Sequence, residues 1–414
     1  MAQDTPSGSG GEQGERAGEG KGTHARMGAD GCFVLRTGAS MPAIGLGTWL
    51  EGDGGEQTQE AVRVALQCGY RSIDCAHLYG TEMAVGRALA DAFSAGVCTR
   101  DDVFLASKVW CTTSNASRVL QACERALKNL CVAQLDLFLL SWPLASPLNR
   151  TPADATDPPV SSPRRGQVSL NVAELWAGME QLVATGRVKA IGVANFSAPM
   201  VLDLLHHAHV QPAVVQAEIH PLWRQEQLLS VCHANGIHVS AHTPLGTPGV
   251  APLALSSQEQ AEMNLWSVPA PAGKGRSRTV HGPMLRHYAV QDVAQRHGKT
   301  PAQSHATHSQ PALMHMRGQV ILRWALQRGT SVLPVSVRDQ RIRSNYELLD
   351  WSLSDAEWER MSAIEPQIPL LGPCLAPASS LPNSTSTGGR PETFQEEEEE
   401  VAGEEGDKGK EGQG

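Results

Sequence analysis

The chain has 414 residues, of which 41% are hydrophobic, enough for one large domain or two ordinary ones. Its net charge of −9 owes much to an acidic stretch near the C-terminus, so no basic face is implied, which argues against nucleic-acid binding. Nothing approaches the run of about 18 apolar residues a membrane span needs, and the N-terminus lacks the apolar core of a secretory signal.

Residues 1–31 are Gly, Ser, Glu and Lys with almost no large apolar side chains, and such a stretch cannot bury enough surface to fold. A disordered N-terminal extension is expected there. The run from Phe33 to Pro42, broken by Gly38, predicts a β-hairpin across the bottom of whatever follows. Short apolar runs at 43–47, 72–75, 103–109, 135–141, 190–193, 214–219, 237–241 and 332–336 read as buried parallel strands, because they are apolar on both faces. Segments of helical period lie between them at 56–68, 82–93, 116–130, 172–185, 199–207 and 225–235. On the first, Ala61, Val64, Ala65 and Cys68 form a stripe that suits packing on a sheet. Eight strands alternating with helices over 32–372 predict an α/β fold, a closed (β/α)8 TIM barrel.

Two long polar insertions interrupt this pattern, at about 247–281 and 304–319. Pro311 and Gly318 fall inside the second, which is therefore expected to be a surface loop. His305, His308 and His315 lie in or beside that loop without a nearby Cys or carboxylate, so no metal site is expected. Residues 373–414 turn Ser/Pro/Thr-rich and then acidic, with Glu396 to Glu400 in one run, and are expected to be a disordered tail. Nine scattered cysteines without a C-x-x-C pair suggest reduced thiols and a cytoplasmic protein.

The segment YRSIDCAHLYGTE at 70–82 carries the chemistry. It ends a strand on Asp74 and places Tyr79 five residues on, while Lys108 lies near the end of another strand. An ammonium favours phenolate and a carboxylate anchors the ammonium, so this set is expected to lower the phenol's pKa and make it an acid for a carbonyl oxygen. In a barrel the C-terminal strand ends share one mouth. Asp74 with Tyr79, Lys108, Ser141 with Trp142, Asn195, Gln216, His242 and Ser336 would all meet there.

At this point the chain resembles an aldo-keto reductase. The resemblance rests on MPAIGLGTW at 41–49, the Asp74–Tyr79 segment, SKVW at 107–110, GRVKAIGVANF at 186–196, QAEIHP at 216–221, PLG at 244–246, and LRW at 322–324 through Asn345. It covers 32–372 and implies a monomeric barrel that uses NADPH to reduce aldehydes or ketones. Carried over by position, it makes Tyr79 the proton donor, with Lys108 and Asp74 tuning it and Asp74 also near the nicotinamide ribose. Asn195 and Gln216 would hold the carboxamide, and Thr48 would line the mouth. Leu245 would lie near the pyrophosphate; Ser336, Arg341 and Asn345 would hold the adenosine phosphate end. Trp49, Trp110 and Trp142 would form an apolar cup for a small carbonyl substrate.

Four positions depart from the family's pattern. Ser141 stands where a His usually orients the substrate oxygen; in the family, replacing that His accompanies altered reactions or a regulatory, cofactor-binding role. Val335 replaces the Lys that pairs with the 2′-phosphate of NADPH, which softens the preference over NADH, although Arg338 and Arg341 remain. His242 replaces the Tyr that stacks on the nicotinamide, and Ala194 replaces a Ser that hydrogen-bonds the carboxamide. A cofactor-binding barrel with little or no catalysis is therefore the competing expectation. A barrel hydrolase lacks its paired carboxylates or metal ligands.

Overall fold

The structure, a computed structural model, describes residues 27–50, 55–109, 116–141, 144–145, 168–169, 171–246, 283–297 and 310–370. A hairpin, β1 (Cys32–Val34) and β2 (Ser40–Pro42), precedes a single parallel sheet. The sheet's strands are β3 (Leu46–Gly47), β4 (Ser72–Asp74), β5 (Phe104–Val109) and β6 (Leu135–Ser141). They continue, past a small β7–β8 ribbon (Leu144–Ala145 with Val168–Ser169), as β9 (Val188–Ala194), β10 (Val214–Glu218), β11 (His238–His242) and β12 (Thr330–Leu333). Each large strand pairs in parallel with its sequence neighbour, and Ile44 pairs with Val332 and Gly47 with Val335. That last pairing joins the first strand to the last and closes the (β/α)8 barrel, as the alternation of strands and helices predicted.

Side-chain alternation explains both the closure and the site. Odd residues of β5 and β10, and even residues of β6, face the helices: Leu105 and Val109, Phe138 and Leu140, Val215 and Ala217 belong to the large cluster between sheet and helices. Their neighbours face the axis, where Phe104, Ala106, Leu137, Leu139, Ala190, Ala194 and Val214 form a separate inner core. Leu35 and Met41 of the hairpin segment join that inner core, so the hairpin plugs the bottom of the barrel, as expected. Gly192 sits on the inward face, where a Cβ would overlap the Val214 carbonyl and the Leu139 side chain.

The inward series changes character along each strand. Apolar Phe104 and Ala106 give way to Lys108, Leu137 and Leu139 to Ser141, Val214 to Gln216, and Ser72 to Asp74. Asp74, Lys108, Ser141 and Gln216 come at or near the C-terminal ends, which places them in one layer at the mouth.

One expectation needs correction. Residues 310–319 are helical, the start of the helix Gln310–Gln327, and do not form a loop. Pro311 lies in the first turn, where its missing N–H has no intrahelical partner to lose. Gly318 is a weak helix residue by about 1 kcal/mol, but Gln319 next to it donates to the Ser344 and Glu347 carbonyls and anchors the turn. Of the expected extension 1–31, residues 1–26 lie outside the described residues, as do the insertion 247–281, residues 304–309 and the tail 373–414. Within the remainder, the Gly28 N–H donates to the Cys32 carbonyl and the Gly31 carbonyl accepts from the Ala43 N–H. No helix among the described residues is long and apolar enough to cross a membrane.

Candidate active site

Lys108 is the hub of the mouth. Its Nζ lies 2.5 Å from Asp74 Oδ2, 2.9 Å from the Cys75 carbonyl oxygen and 3.2 Å from Tyr79 Oη. The lysine and Asp74 are both almost fully buried. The second oxygen of Asp74 accepts from Gln216 Nε2 at 2.9 Å, so both carboxylate oxygens are committed. Burial opposes the ammonium, yet Asp74 and Tyr79 together raise the Lys108 pKa above that of an ordinary lysine.

Tyr79 reaches the hub through a short 3-10 turn, His77–Tyr79, which the periodicity did not announce. Gly80 ends the turn at φ 66, a left-handed conformation glycine adopts freely. Helix Glu82–Ser94 starts directly afterwards, and its buried first residue anchors the turn. Glu82 accepts from Ser107 Oγ at 2.7 Å and from Asn129 Nδ2 at 2.9 Å, with His77 Nδ1 at 3.8 Å. Glu82 closes the 70–82 segment, and its role was not legible there. Its signal was a carboxylate three residues after Tyr79 with nothing nearby in sequence to neutralise it.

The phenol's acidity differs from expectation. Burial raises the Tyr79 pKa, the Lys108 charge pulls it down, Asp74 pushes it up again, and the net shift is upward. Desolvation of phenolate outweighs the ammonium because Asp74 neutralises much of the ammonium's field. Tyr79 therefore holds its proton more firmly than an ordinary phenol.

Thr48 is buried beside this set. Its hydroxyl donates to the Asp74 carbonyl oxygen at 2.9 Å and its own carbonyl accepts from Thr81, so it pins the end of β4. Ser141, the last residue of β6, is buried, faces inward and pairs in register with Ala194. Asn195 follows β9 and His242 ends β11; His242 Nε2 lies 2.8 Å from Asn195 Oδ1. Glu218, one inward position above Gln216, meets His220 Nε2 at 2.9 Å and accepts from the Leu370 amide at 2.7 Å. Burial raises its pKa, but the His220 bond and its other partners hold the carboxyl below the usual range. Glu218 and His220 lay within a quoted motif, and the period-two alternation from Val214 would have marked Glu218 as inward.

A second group of expected residues lies past the ends of β11 and β12. Leu245 and Asn345 approach the same point, Gly318 of the helix Gln310–Gln327. Ser336 Oγ accepts from the Arg338 amide at 3.1 Å. Arg341 is half-buried, and burial, then the Arg338 charge, lowers its pKa. Neither arginine makes an ion pair with a described residue, and the Arg338 charge bears on Arg341. Val335 is 40% exposed here. Trp49 is half-buried next to Thr48, whereas Trp110 and Trp142 lie outside the described residues.

Replacing one partner of the buried pair tests its weight. Lys108→Met leaves Asp74 buried opposite a thioether and is expected to cost about 3–5 kcal/mol in urea unfolding. Adding Asp74→Leu to that variant should recover more than half. A single-variant loss under about 1 kcal/mol would mean the pair is solvated rather than buried.

This geometry has relatives. Residues 43–366 match the model of the aldo/keto reductase family. Over 335 residues, 81% of the chain and 89% of the relative, it is 34% identical to aldo-keto reductase family 4 member C11 of Arabidopsis thaliana. With human aldo-keto reductase family 1 member A1 it shares 33% identity over 340 residues, 81% of the chain and 90% of that protein. Among solved structures, the aldose reductase of Schistosoma japonicum superposes with a TM-score of 0.62 at 31% identity, covering 82% of this chain and 94% of the other. A Bombyx mori aldo-keto reductase in complex with NADP gives 0.60 at 28%, covering 80% and 91%. The chain belongs to the aldo/keto reductase family and is an oxidoreductase of its NAD(P)H-dependent, carbonyl-reducing class.

Proposed function

We propose that Tyr79 protonates the oxygen of a small aldehyde or ketone at the barrel mouth, with Lys108 and Asp74 holding it in place. The observation that carries this reading is the single ammonium bonded to Asp74 and to the phenol, in a layer of inward polar residues. The Lys108 charge also favours the phenolate left after transfer, and Asp74 keeps that charge in place.

The residues fit a dinucleotide. Gln216 gives its N–H to Asp74, leaving Oε1 to accept from a carboxamide. Arg338 and Arg341, without carboxylate partners among the described residues, suit a phosphate, and Ser336 and Asn345 flank them. When bound, the reduced nicotinamide supplies a hydride; the chain orients the acceptor, excludes water and delivers the proton. Trp49, with Trp110 and Trp142, is assigned to the substrate cup, and His242 to the nicotinamide. Seven free cysteines among the described residues support a cytoplasmic setting, and the enzyme is read as a monomer.

NADPH is the assigned cofactor, with NADH a usable second because Val335 offers no charge to a 2′-phosphate. Fluorescence titration with both, followed by turnover on an aldehyde panel, tests the whole reading. Binding without oxidation across the panel would favour the second reading, a cofactor-binding barrel, to which Ser141 lends support. Arg341→Gln is expected to weaken NADPH by about tenfold or more, one charge-assisted bond, and NADH by less than about threefold. Equal weakening of the two would remove Arg341 from the phosphate.

A further inference from the structure

A second hydrogen-bonded chain stands beside the Lys108 hub, and proton transfer leaves it without a role. His242 Nε2 lies 2.8 Å from Asn195 Oδ1, and its Nδ1 lies 3.0 Å from Thr243 Oγ1. Burial pushes the imidazole down to about 4; Glu218 pulls it up and Lys108 pushes it down again. The ring is neutral at physiological pH, with one N–H and one lone pair. An amide oxygen only accepts, so Nε2 carries the proton and the Thr243 hydroxyl donates to Nδ1. Both ends of this chain are held in left-handed backbone, Asn195 at φ 64 and Thr243 at φ 52. Asparagine enters that region readily, whereas a β-branched threonine does so only under constraint. Strain of this kind persists where surrounding contacts enforce one orientation.

The consequence is polarity. With its oxygen held by His242, Asn195 has Nδ2 left as a donor. Gln216, in register beside Ala194, is oriented the opposite way: its Nε2 goes to Asp74 and Oε1 is left as an acceptor. The Asn195 backbone N–H also donates to the Gln216 backbone carbonyl at 2.9 Å, which locks the two strand ends together. One fixed donor and one fixed acceptor side by side complement a primary carboxamide, whose oxygen accepts and whose nitrogen donates. Ala194 offers no hydroxyl, so the carboxamide oxygen depends on Asn195.

We infer that His242 is a positioning residue: by holding the side-chain oxygen of Asn195, it reserves the Asn195 N–H for the carboxamide oxygen of the nicotinamide. This rests on the cofactor reading above and goes beyond ring stacking, which would need no hydrogen bond from the imidazole.

The test uses binding, not turnover. Dissociation constants are measured by tryptophan quenching for NADP+, its thionicotinamide analogue and its 3-acetylpyridine analogue. The first analogue weakens the acceptor; the second replaces the carboxamide nitrogen with methyl. The native chain is expected to prefer NADP+ to each by about three- to tenfold, the weight of one hydrogen bond. His242→Phe keeps a ring and removes both bonds. It should reduce the thionicotinamide ratio below about twofold, within the loss of one such bond, and leave the acetylpyridine ratio unchanged. His242→Gln, which can donate from Nε2, should restore the first ratio. Should the Phe variant fail to fold, Thr243→Val removes the hydroxyl that fixes the tautomer and should lower the same ratio. An unchanged thionicotinamide ratio, or equal loss of both ratios, overturns the inference while the cofactor reading stands. Failure of the native chain to bind NADP+ at all overturns both.

Discussion

Tyr79→Phe is expected to lose about 10²- to 10⁴-fold in turnover, the usual weight of a positioned acid, while binding NADPH as the native chain does. The reason is local. The substitution removes one hydroxyl and the 3.2 Å contact from Lys108, but the ammonium keeps Asp74 and the Cys75 carbonyl. The hub therefore survives, and Gln216 and Asn195, the residues proposed to bind the cofactor, are untouched. The pH dependence follows from the sign of the shift. Reduction needs the protonated phenol, and burial raises the Tyr79 pKa above its ordinary value. The native rate of reduction should be flat from neutral to mildly alkaline pH and fall only beyond the ordinary tyrosine range. Alcohol oxidation needs the deprotonated form and should instead rise as pH rises. Turnover by the Phe variant at the native rate would show that another group, or water, is the acid.

The barrel was legible because parallel strands buried on both faces leave an apolar signature that helices of clear period punctuate. The mouth was legible for a related reason: Asp74, Lys108, Ser141, Gln216 and His242 are polar residues at the ends of apolar runs, where burial of a polar group calls for a purpose. The helix through Pro311 was not legible. A proline and a glycine seven residues apart look like a break in one dimension, and only the position of Pro311 in the first turn makes them compatible. The direction of the Tyr79 shift was illegible as well. Sequence gives the identities of the charged neighbours but not the desolvation, which here outweighs them. The bond between His242 and Asn195 belongs to the same class, since it spans 47 positions and is flanked by two left-handed residues. Glu218 could have been read from alternation alone.

Ser141→His is expected to raise kcat/KM on small aldehydes by about a hundredfold, since a missing oxyanion donor typically costs that much. Ser141 is the last inward residue of β6, buried above Leu139, and its hydroxyl makes no hydrogen bond with a described residue. A longer side chain there extends further into the barrel mouth, and its register neighbour across to β9 is only Ala194. That methyl leaves room, so overpacking should stay below about 1 kcal/mol, the lower end for added core volume. A neutral imidazole would then donate to the carbonyl oxygen from one side while Tyr79 donates from the other, dividing the developing charge between two groups. Ser141→Asn adds bulk and a donor of shorter reach, and should recover only part of the gain. The comparison is made on one aldehyde panel with NADPH saturating, so that differences report the chemical step. A histidine variant that folds, binds NADPH and gains nothing would show that Ser141 serves a substrate carrying its own donor at that position, and that carbonyl reduction by this chain runs on Tyr79 alone.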